Sequence, residues 1–423
     1  MRFALSNAAK REFYRRKYRD AGIAEDLLSG GELEARFEQL PLLEPTELIE
    51  NAKLLRDPGQ PAFRVSCSGG SLGNPKVLFR TADDWDASVA NMARVLAICG
   101  VSAKDVLLIA QPFGIWSIGH LALDACRQLE CVAIPAGNHH EPEQILDFAG
   151  RFEVTAAFAT PSLWKSVTAC RNPEGPLHRM RILLAGEKLR GNTWRAFEQA
   201  WDGEVLELYG SEETDALAAE CGRAPGLHIL EDSFVYELLG SSGPVEHSQP
   251  GVYEGELVIT SLYHSGTPLI RYRLGDLVRI HRTAGRCVCG RSEARLEIVG
   301  KSQQFVQLFD ATKVYFYQIE AAVRSVLHRD PDIQVVIDSG AGSTEVLTVI
   351  IEDGTTAEGQ GCLQQALTHC SLDFADSVIR GQVELRVTAG SGLKQSTAKG
   401  KQRQIIDRRN SNQERGAQHE RTT

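Results

Sequence analysis

Long apolar runs are missing from this sequence. Stretches such as Val106–Ala110 fall far short of the roughly 20 residues of a membrane helix, so no span and no membrane partner is expected. Cationic excess is missing as well. The net charge is −9, and only the C-terminal tail is basic. A general nucleic-acid binder is therefore excluded, because phosphate neutralisation needs clustered Lys and Arg. Cysteine is sparse, at 10 in 423 residues, too thin for a disulfide framework. The opening Met1-Arg2-Phe3-Ala4-Leu5-Ser6 has neither the apolar core nor the small-residue cleavage site of a secretory leader. A reduced, cytoplasmic protein is the expectation.

What is present describes a well-cored chain. Hydrophobic residues make up 43% and charged residues 24%, enough to bury two or three domains and to exclude global disorder. The first sixty residues read as amphipathic helix, with Asp20-Ala21-Gly22 as a helix end. From Phe63 to about Pro268, short apolar runs at 106–109, 131–134, 156–159 and 181–185 alternate with helical patterns at 84–99 and 193–201. That rhythm predicts an α/β fold, with helix-flanked sheets in a large N-terminal domain over 1–300. From Gly251 the spacing tightens into the strands of a β-rich subdomain. A small, mobile α+β domain follows at 301–407, with helices at 318–328 and 362–370 and strands at 334–337, 347–351 and 383–387. Residues 408–423 are polar, apolar-poor and expected to be disordered. The isolated cysteines 67, 99, 126, 131, 170, 362 and 370 read as small buried hydrophobes.

The chemistry begins at Ser68-Gly69-Gly70-Ser71-Leu72-Gly73-Asn74-Pro75-Lys76, after a strand-like Phe63-Arg64-Val65. Glycines free backbone N–H groups to face an anion, the serines donate hydroxyls, and Lys76 brings charge. The P-loop pattern is absent, since Pro75 precedes the lysine and no Ser or Thr follows it. A plain surface loop would also account for the composition.

This loop resembles the nucleotide loop of adenylate-forming enzymes, the acyl-CoA synthetase, luciferase and peptide-synthetase adenylation superfamily, with Leu72 where that pattern has Thr. Three further segments resemble that superfamily in order. Tyr209-Gly210-Ser211-Glu212-Glu213 is similar to Tyr-Gly-x-Thr-Glu, with Glu212 in place of Thr. The resemblance implies Tyr209 against adenine and Glu213 on Mg²⁺. Tyr272-Arg273-Leu274-Gly275-Asp276 is similar to the motif whose aspartate binds the ribose hydroxyls, a task suited to a carboxylate that accepts from two O–H groups. Lys399-Gly400-Lys401 is similar to the C-terminal lysine motif, which makes Lys401 the catalytic lysine.

Within the superfamily the chain resembles the phenylacetate-CoA ligases. Phe13-Tyr14-Arg15-Arg16-Lys17 with Ala21-Gly22, Gly226-Leu227-His228-Ile229-Leu230-Glu231-Asp232, Pro268-Leu269-Ile270-Arg271-Tyr272-Arg273 and Cys287-Val288-Cys289-Gly290-Arg291 follow in that family's order. The implied activity is ATP-dependent conversion of a carboxylic acid, an aromatic one, to an acyl-adenylate, then transfer to a thiol such as coenzyme A. Lys401 and Glu213 are the implied catalytic pair. Ser68, Gly69, Gly70, Ser71, Gly73, Lys76, Glu187, Tyr209, Gly210, Ser211, Asp276 and Arg291 are the implied ATP site. Phe113, Trp116, Ala185 and Gly186 are the implied acid pocket, whose aromatic walls suit a flat ring. The alternative is that both rings belong to the core.

Cys287 and Cys289 alone are too few for structural zinc. The resemblance adds Cys221 and His228, giving a Cys3His set. Two exposed cysteines and a locally bonded histidine would be the bland alternative.

The hinge departs from the family. Gln303 and Gln304 stand for two acids, and Ala311 for a glycine that admits the pantetheine arm. Coenzyme A is therefore one acceptor to consider beside an acyl-carrier protein or an amine, as in natural-product and antibiotic biosynthesis. A fatty-acid-reductase-type acyl-protein synthetase would need a reactive Cys362 or Cys370, and their apolar helical setting predicts inert burial. A paralogue that binds ATP without turnover is the non-enzymatic reading. A homodimer is a further assembly to test.

Overall fold

The computed structural model describes residues 1–24, 30–57, 59–68, 75–172, 179–187, 193–240, 243–302, 304–308, 312–329, 331–340, 344–352, 357–390 and 404–409. They separate into one compact unit ending at Ile298 and a second from Val299 onward.

The first unit opens with α1 (Arg2–Ala9), α2 (Glu12–Asp20), α3 (Gly30–Ala35), α4 (Pro45–Glu50) and α5 (Ala52–Leu55). Helix α2 stops where a left-handed residue is needed, at Gly22 with φ +78°. The next strands, β1 (Arg64–Cys67) and β2 (Val77–Arg80), form an antiparallel hairpin whose ends converge on the glycine-rich loop. Helix α6 (Ala82–Ile98) starts at a capping box, because Thr81 and Asp84 each accept the other's backbone N–H.

The alternating segments then build β3 (Val106–Ala110), α7 (Ile118–Leu129), β4 (Val132–Ile134), α8 (Pro142–Arg151), β5 (Ala156–Ala159), α9 (Pro161–Ala169), β6 (Arg181–Leu184), α10 (Thr193–Trp201) and β7 (Val205–Ser211). Strands β3 to β7 pair in parallel in the order β4-β3-β5-β6-β7. Both faces of β3, β5 and β6 are buried, and alternate residues serve different cores. Leu107, Ile109, Ala156, Phe158 and Leu183 join one cluster, while Leu108, Ala110, Ala157, Ala159, Ile182 and Leu184 join the other. That explains why the sequence shows continuous apolar runs here rather than alternation.

At β7 the sheet changes character. Strands β8 (Asp215–Glu220), β9 (Leu227–Ile229), β10 (Phe234–Gly240), β11 (Gly243–Val245), β12 (Gly251–Ser261), β13 (Tyr272–Arg282) and β14 (Arg295–Lys301) extend it to twelve strands in the order β11-β10-β12-β13-β14-β9-β8-β7-β6-β5-β3-β4. The helix-flanked, mixed α/β architecture expected from the sequence is what these elements form.

The second unit contains β15 (Phe305–Gln307), β16 (Lys313–Tyr315), α11 (Phe316–Leu327), β17 (Ile333–Ser339), β18 (Glu345–Glu352), α12 (Ala357–Thr368), α13 (Leu372–Ile379), β19 (Val383–Gly390) and β20 (Ile405–Asp407). Its four-stranded sheet runs β19-β18-β17-β20 over a core that includes Ile333, Val335, Leu347, Val349, Phe316, Leu363 and Phe374. Helix α13 was not anticipated. Its start is set by Ser371, whose hydroxyl accepts from the Phe374 N–H, a cap without a strong apolar period behind it. Of the tail expected to be disordered at 408–423, Arg408 and Arg409 are described, with Arg409 paired to Asp407 and Glu345, and 410–423 lie outside the described residues. No helix among the described residues is long and apolar enough to cross a membrane.

Candidate active site

The carboxyl ends of parallel strands are where an open α/β sheet presents a crevice. Here Phe113, Gly114 and Trp116 follow β3, Thr160 follows β5, Ala185 and Gly186 follow β6, and Ser211 ends β7. The tight turn from β7 into β8 carries Glu212, Glu213 and Thr214. Gly210 is required there, since a Cβ would lie 2.0 Å from the Asp215 carbonyl oxygen.

Glu213 is 4% exposed. Its Oε1 accepts from the Lys76 ammonium and from the Tyr272 hydroxyl at 2.9 Å. Burial works to raise this carboxyl, but Lys76 and the hydrogen bonds outweigh it and hold it below the ordinary range. Tyr209 donates to Asp276 Oδ2 at 2.7 Å. Burial and the neighbouring carboxylate push the phenols of Tyr209 and Tyr272 well up, so both stay protonated donors. The two bonds are reciprocal. β7 gives a phenol to the carboxylate of β13, and β13 gives a phenol to the carboxylate of the β7–β8 turn. In a flat sheet β7 and β13 would stand roughly 19 Å apart, four strand spacings in this order. Side chains cannot bridge that, so the sheet must bend to bring Tyr209, Glu213, Tyr272 and Asp276 together.

Ser68 marks the described rim of the phosphate loop. Its N–H donates to the Lys76 carbonyl at 3.0 Å and its Oγ accepts from the Lys76 N–H at 3.1 Å. Gly69, Gly70, Ser71, Leu72 and Gly73 lie outside the described residues, as do Lys401 and the hinge positions Gln303 and Ala311. Ser211 Oγ accepts from the Thr214 N–H at 3.3 Å and fixes the turn before Asp215. Glu187 accepts from the Ser162 N–H and hydroxyl, at 3.1 and 2.9 Å, at the first turn of α9.

On the acid side, Phe113 and Trp116 are half-buried. Phe113 stacks edge-on against His120 at 5.0 Å and packs on the main core. Arg64 donates to the carbonyls of Gly114 and Trp116, at 3.0 and 2.9 Å, and fixes the loop between them. Glu212 reaches toward this wall, its Oε1 accepting from the Ser117 N–H at 3.0 Å. Burial, with Asp215 beside it, pushes Glu212 up to about 7.

Arg291 is not brought to this place. It lines a groove of about 590 Å³ with Ala97, Arg181, Glu204, Cys221 and Cys289. Glu204 precedes β7 and Ser211 ends it, seven residues or roughly 20 Å along the strand.

Beside that groove the structure gathers Cys221, His228, Cys287 and Cys289, with ligand atoms all within 4.8 Å of one another. Cys221 and Cys287 Sγ are 3.9 Å apart, and Cys289 Sγ lies 3.3 Å from His228 Nε2. A tetrahedral ion with Zn–S near 2.3 Å needs sulfurs roughly 3.8 Å apart, so the donors fit. Burial lowers His228, which keeps the ring neutral as a ligand must be.

The expectation that the isolated cysteines are buried holds for Cys99 and Cys126 but needs correction elsewhere. Cys67, Cys131 and Cys170 are half-buried, and Cys362 is exposed on α12. Helical periodicity turned Leu363 and Leu367 inward and left Cys362 on the solvent side. Cys370 is half-buried, and burial pushes its thiol up to about 11, which suits it poorly to carry an acyl group.

Arg80, Ser117, Asp215 and His264, which prove central below, were not singled out from the sequence. Each is a single polar residue in an ordinary run, without spacing to mark it.

Comparison with known proteins shows what the chain is similar to. The phenylacetate-coenzyme A ligase of Aromatoleum evansii is 27% identical over 419 residues, covering 94% of this chain and 90% of the relative. The phenylacetate-coenzyme A ligase of Escherichia coli K12 is 27% identical over 366 residues, covering 80% and 77%. A solved 2-hydroxyisobutyryl-CoA ligase, in its postadenylation state with 2-HIB-AMP, superposes with a TM-score of 0.72 over 99% of this chain and 90% of its own. At 21% identity it shows a shared fold. The model of the AMP-binding enzyme family matches residues 29–241, just over half of the chain, and the chain belongs to that family.

Proposed function

We propose that this protein activates a carboxylic acid, an aromatic one, with ATP, releases pyrophosphate and passes the acyl group from an acyl-adenylate to a thiol such as coenzyme A. The observation that carries this reading is the constellation at the bend of the sheet. An anionic Glu213, held by Lys76 and Tyr272, faces the Tyr209–Asp276 pair, with the Phe113–Trp116 wall on the adjoining strand ends. Two relatives named for ligation of phenylacetate to coenzyme A support the acid and thiol classes.

Each residue has a physical task. Asp276 is suited to accept from two adjacent ribose hydroxyls, with Tyr209 holding its other lone pairs in place. Tyr209 supplies an aromatic face beside the base. The hairpin β1–β2 brings Ser68 and Lys76 to the phosphates. Glu213 fits Mg²⁺, which takes one or two protein carboxylates and completes its octahedron with phosphate oxygens and water. When bound, that ion would neutralise charge on the phosphates. Lys76 already pairs with the same carboxylate, so loading nucleotide requires the ammonium to exchange from Glu213 to phosphate. Lys401 is assigned the charge at the meeting of carboxylate and α-phosphate, a role its family motif supports. Proximity and fixed positive charge supply the stabilisation that two approaching anions need.

The Cys3His cluster is assigned to structural Zn²⁺, since four protein donors close the coordination sphere.

The test is pyrophosphate release with ATP, Mg²⁺ and a panel of aryl and aliphatic acids, each with and without coenzyme A. Sustained release with an aryl acid that requires coenzyme A is the expected result. Release limited to about one equivalent and indifferent to coenzyme A would point to another acceptor. Folded protein that binds ATP but releases pyrophosphate with no acid would overturn the activity.

A further inference from the structure

We propose that Arg80 and Asp215 are positioning residues that hold the Glu212–Glu213 turn, and with it the metal-binding carboxylate, in register with the phosphate-loop hairpin. The inference rests on the assignment of Glu213 as the metal ligand.

Arg80 ends β2 and is 1% exposed. Its Nη2 donates to the backbone carbonyls of Glu212 at 3.1 Å and Glu213 at 2.7 Å, while Nε donates to Asp215 Oδ2 at 3.3 Å. Lys76 stands four residues earlier, immediately before β2. The segment from Lys76 through β2 therefore places an ammonium on the Glu213 carboxylate and a guanidinium on the Glu213 carbonyl. Lys76, at the described end of the phosphate loop, and the Glu212–Glu213 turn share a single mount.

Asp215 closes the mount from the other side. Its backbone is left-handed, at φ +56°, a conformation that costs a non-glycine residue about 1 kcal/mol or more and persists only where surroundings enforce it. The enforcement is visible. Oδ2 accepts from Ser88 Oγ at 2.7 Å and lies 3.4 Å from His264 Nε2, and Oδ1 accepts from Ser117 Oγ at 3.1 Å. Ser117 also donates its N–H to Glu212 and adjoins Trp116 on the acid wall. The network thus touches the phosphate-loop strand, the metal turn and the acid wall.

A buried ion pair is weak evidence for stability, because desolvation offsets much of the attraction. What marks this one is its target. The guanidinium is spent on the two carbonyls that flank the metal-binding side chain. A shift of about 1 Å in a positioned group costs on the order of 10²-fold in function. Lysine at position 80 keeps the charge but cannot fork onto two carbonyls and a carboxylate.

The experiment is calorimetric ATP binding, with and without Mg²⁺, for the full chain and for R80K, D215N and E213Q, with thermal unfolding of each. Expected is at least a tenfold loss in R80K of the affinity gain that Mg²⁺ confers, about threefold or more in D215N, and a near-complete loss in E213Q. Metal-free ATP affinity should move less than threefold. An R80K protein that keeps the wild-type Mg²⁺ gain, whatever its melting temperature, overturns the positioning role alone. If R80K does not fold, D215N, whose amide keeps one acceptor oxygen and can donate its NH2 to the other serine hydroxyl, decides in the same way. E213Q with an intact Mg²⁺ gain overturns the metal assignment and this inference together.

Discussion

The two metal-binding candidates sit toward opposite ends of strand β7 and are built on opposite plans. Near Glu204, Cys221, His228, Cys287 and Cys289 offer four donors within 4.8 Å. Past Ser211, the turn offers one buried carboxylate, already paired with Lys76 and Tyr272. The first can close around an ion with protein atoms alone. The second is incomplete until phosphate arrives. A closed set locks β8, β9 and the 287–291 turn to one another, whereas an open one makes metal affinity depend on substrate. On the proposed assignments, the difference separates what holds the fold from what performs the reaction.

That contrast can be broken at either end. The largest effect is expected at the closed set. Stripping it with a strong chelator, or replacing Cys287 and Cys289 by Ser, should release bound metal and lower the melting temperature by well over 10 °C, since structural zinc contributes many kcal/mol. Metal analysis beside thermal unfolding reads this, and an unchanged melting temperature after complete metal loss would contradict it. At the open end, Glu213→Gln should slow pyrophosphate release about 10³-fold while melting within a few degrees of the parent. Lys401→Ala should lose adenylate formation and still bind ATP. Equal damage to stability from both ends would erase the distinction.

A third region sharpens the comparison because it supports the sheet without touching either donor set. Asp84 accepts from the N–H groups of Thr81, Ser265 and Gly266 and from the Ser265 hydroxyl, at 2.8 to 3.0 Å. Burial works to raise its carboxyl, but His264 and these donors outweigh it, so its pKa is depressed on folding. A depressed carboxyl stabilises above its unfolded pKa, near 3.9, and the benefit fades as pH falls through the folded value. Asp84→Asn should therefore cost about 2–3 kcal/mol at pH 7, and the gap to the parent should narrow toward pH 3 in denaturant titrations. A constant gap would mean the loss is steric.

The smallest effect concerns thiol access. In metal-loaded protein Cys362 should label fastest, since it is exposed while Cys370 is pushed up to about 11 by burial. After chelation Cys221, Cys287 and Cys289 should join it. Fast labelling of those three with metal still bound would mean the set is not closed.

The α/β architecture was legible because its signals are local. Runs such as 106–109 and 156–159 are apolar on both faces, and the Thr81 cap stands where its helix begins. The motifs around Tyr209, Glu213 and Asp276 were also legible, as ordered strings. What the strings could not convey is curvature. Only the bend of the sheet makes Tyr209 meet Asp276 and Tyr272 meet Glu213, and only the length of β7 carries Arg291 away from them. Arg80 makes contacts 132 to 135 residues apart in sequence, and Asp215 hydrogen-bonds to serines 127 and 98 residues away, beyond any spacing rule. Cys362 needed the phase of its helix, which composition does not supply.

The most direct measurement of the central claim is acid-dependent exchange of labelled pyrophosphate into ATP, which requires a reversible acyl-adenylate and no thiol. Exchange that appears only with a suitable aryl acid, needs Mg²⁺ and disappears in Glu213→Gln is the result the account predicts. Exchange that survives Glu213→Gln unchanged would contradict it.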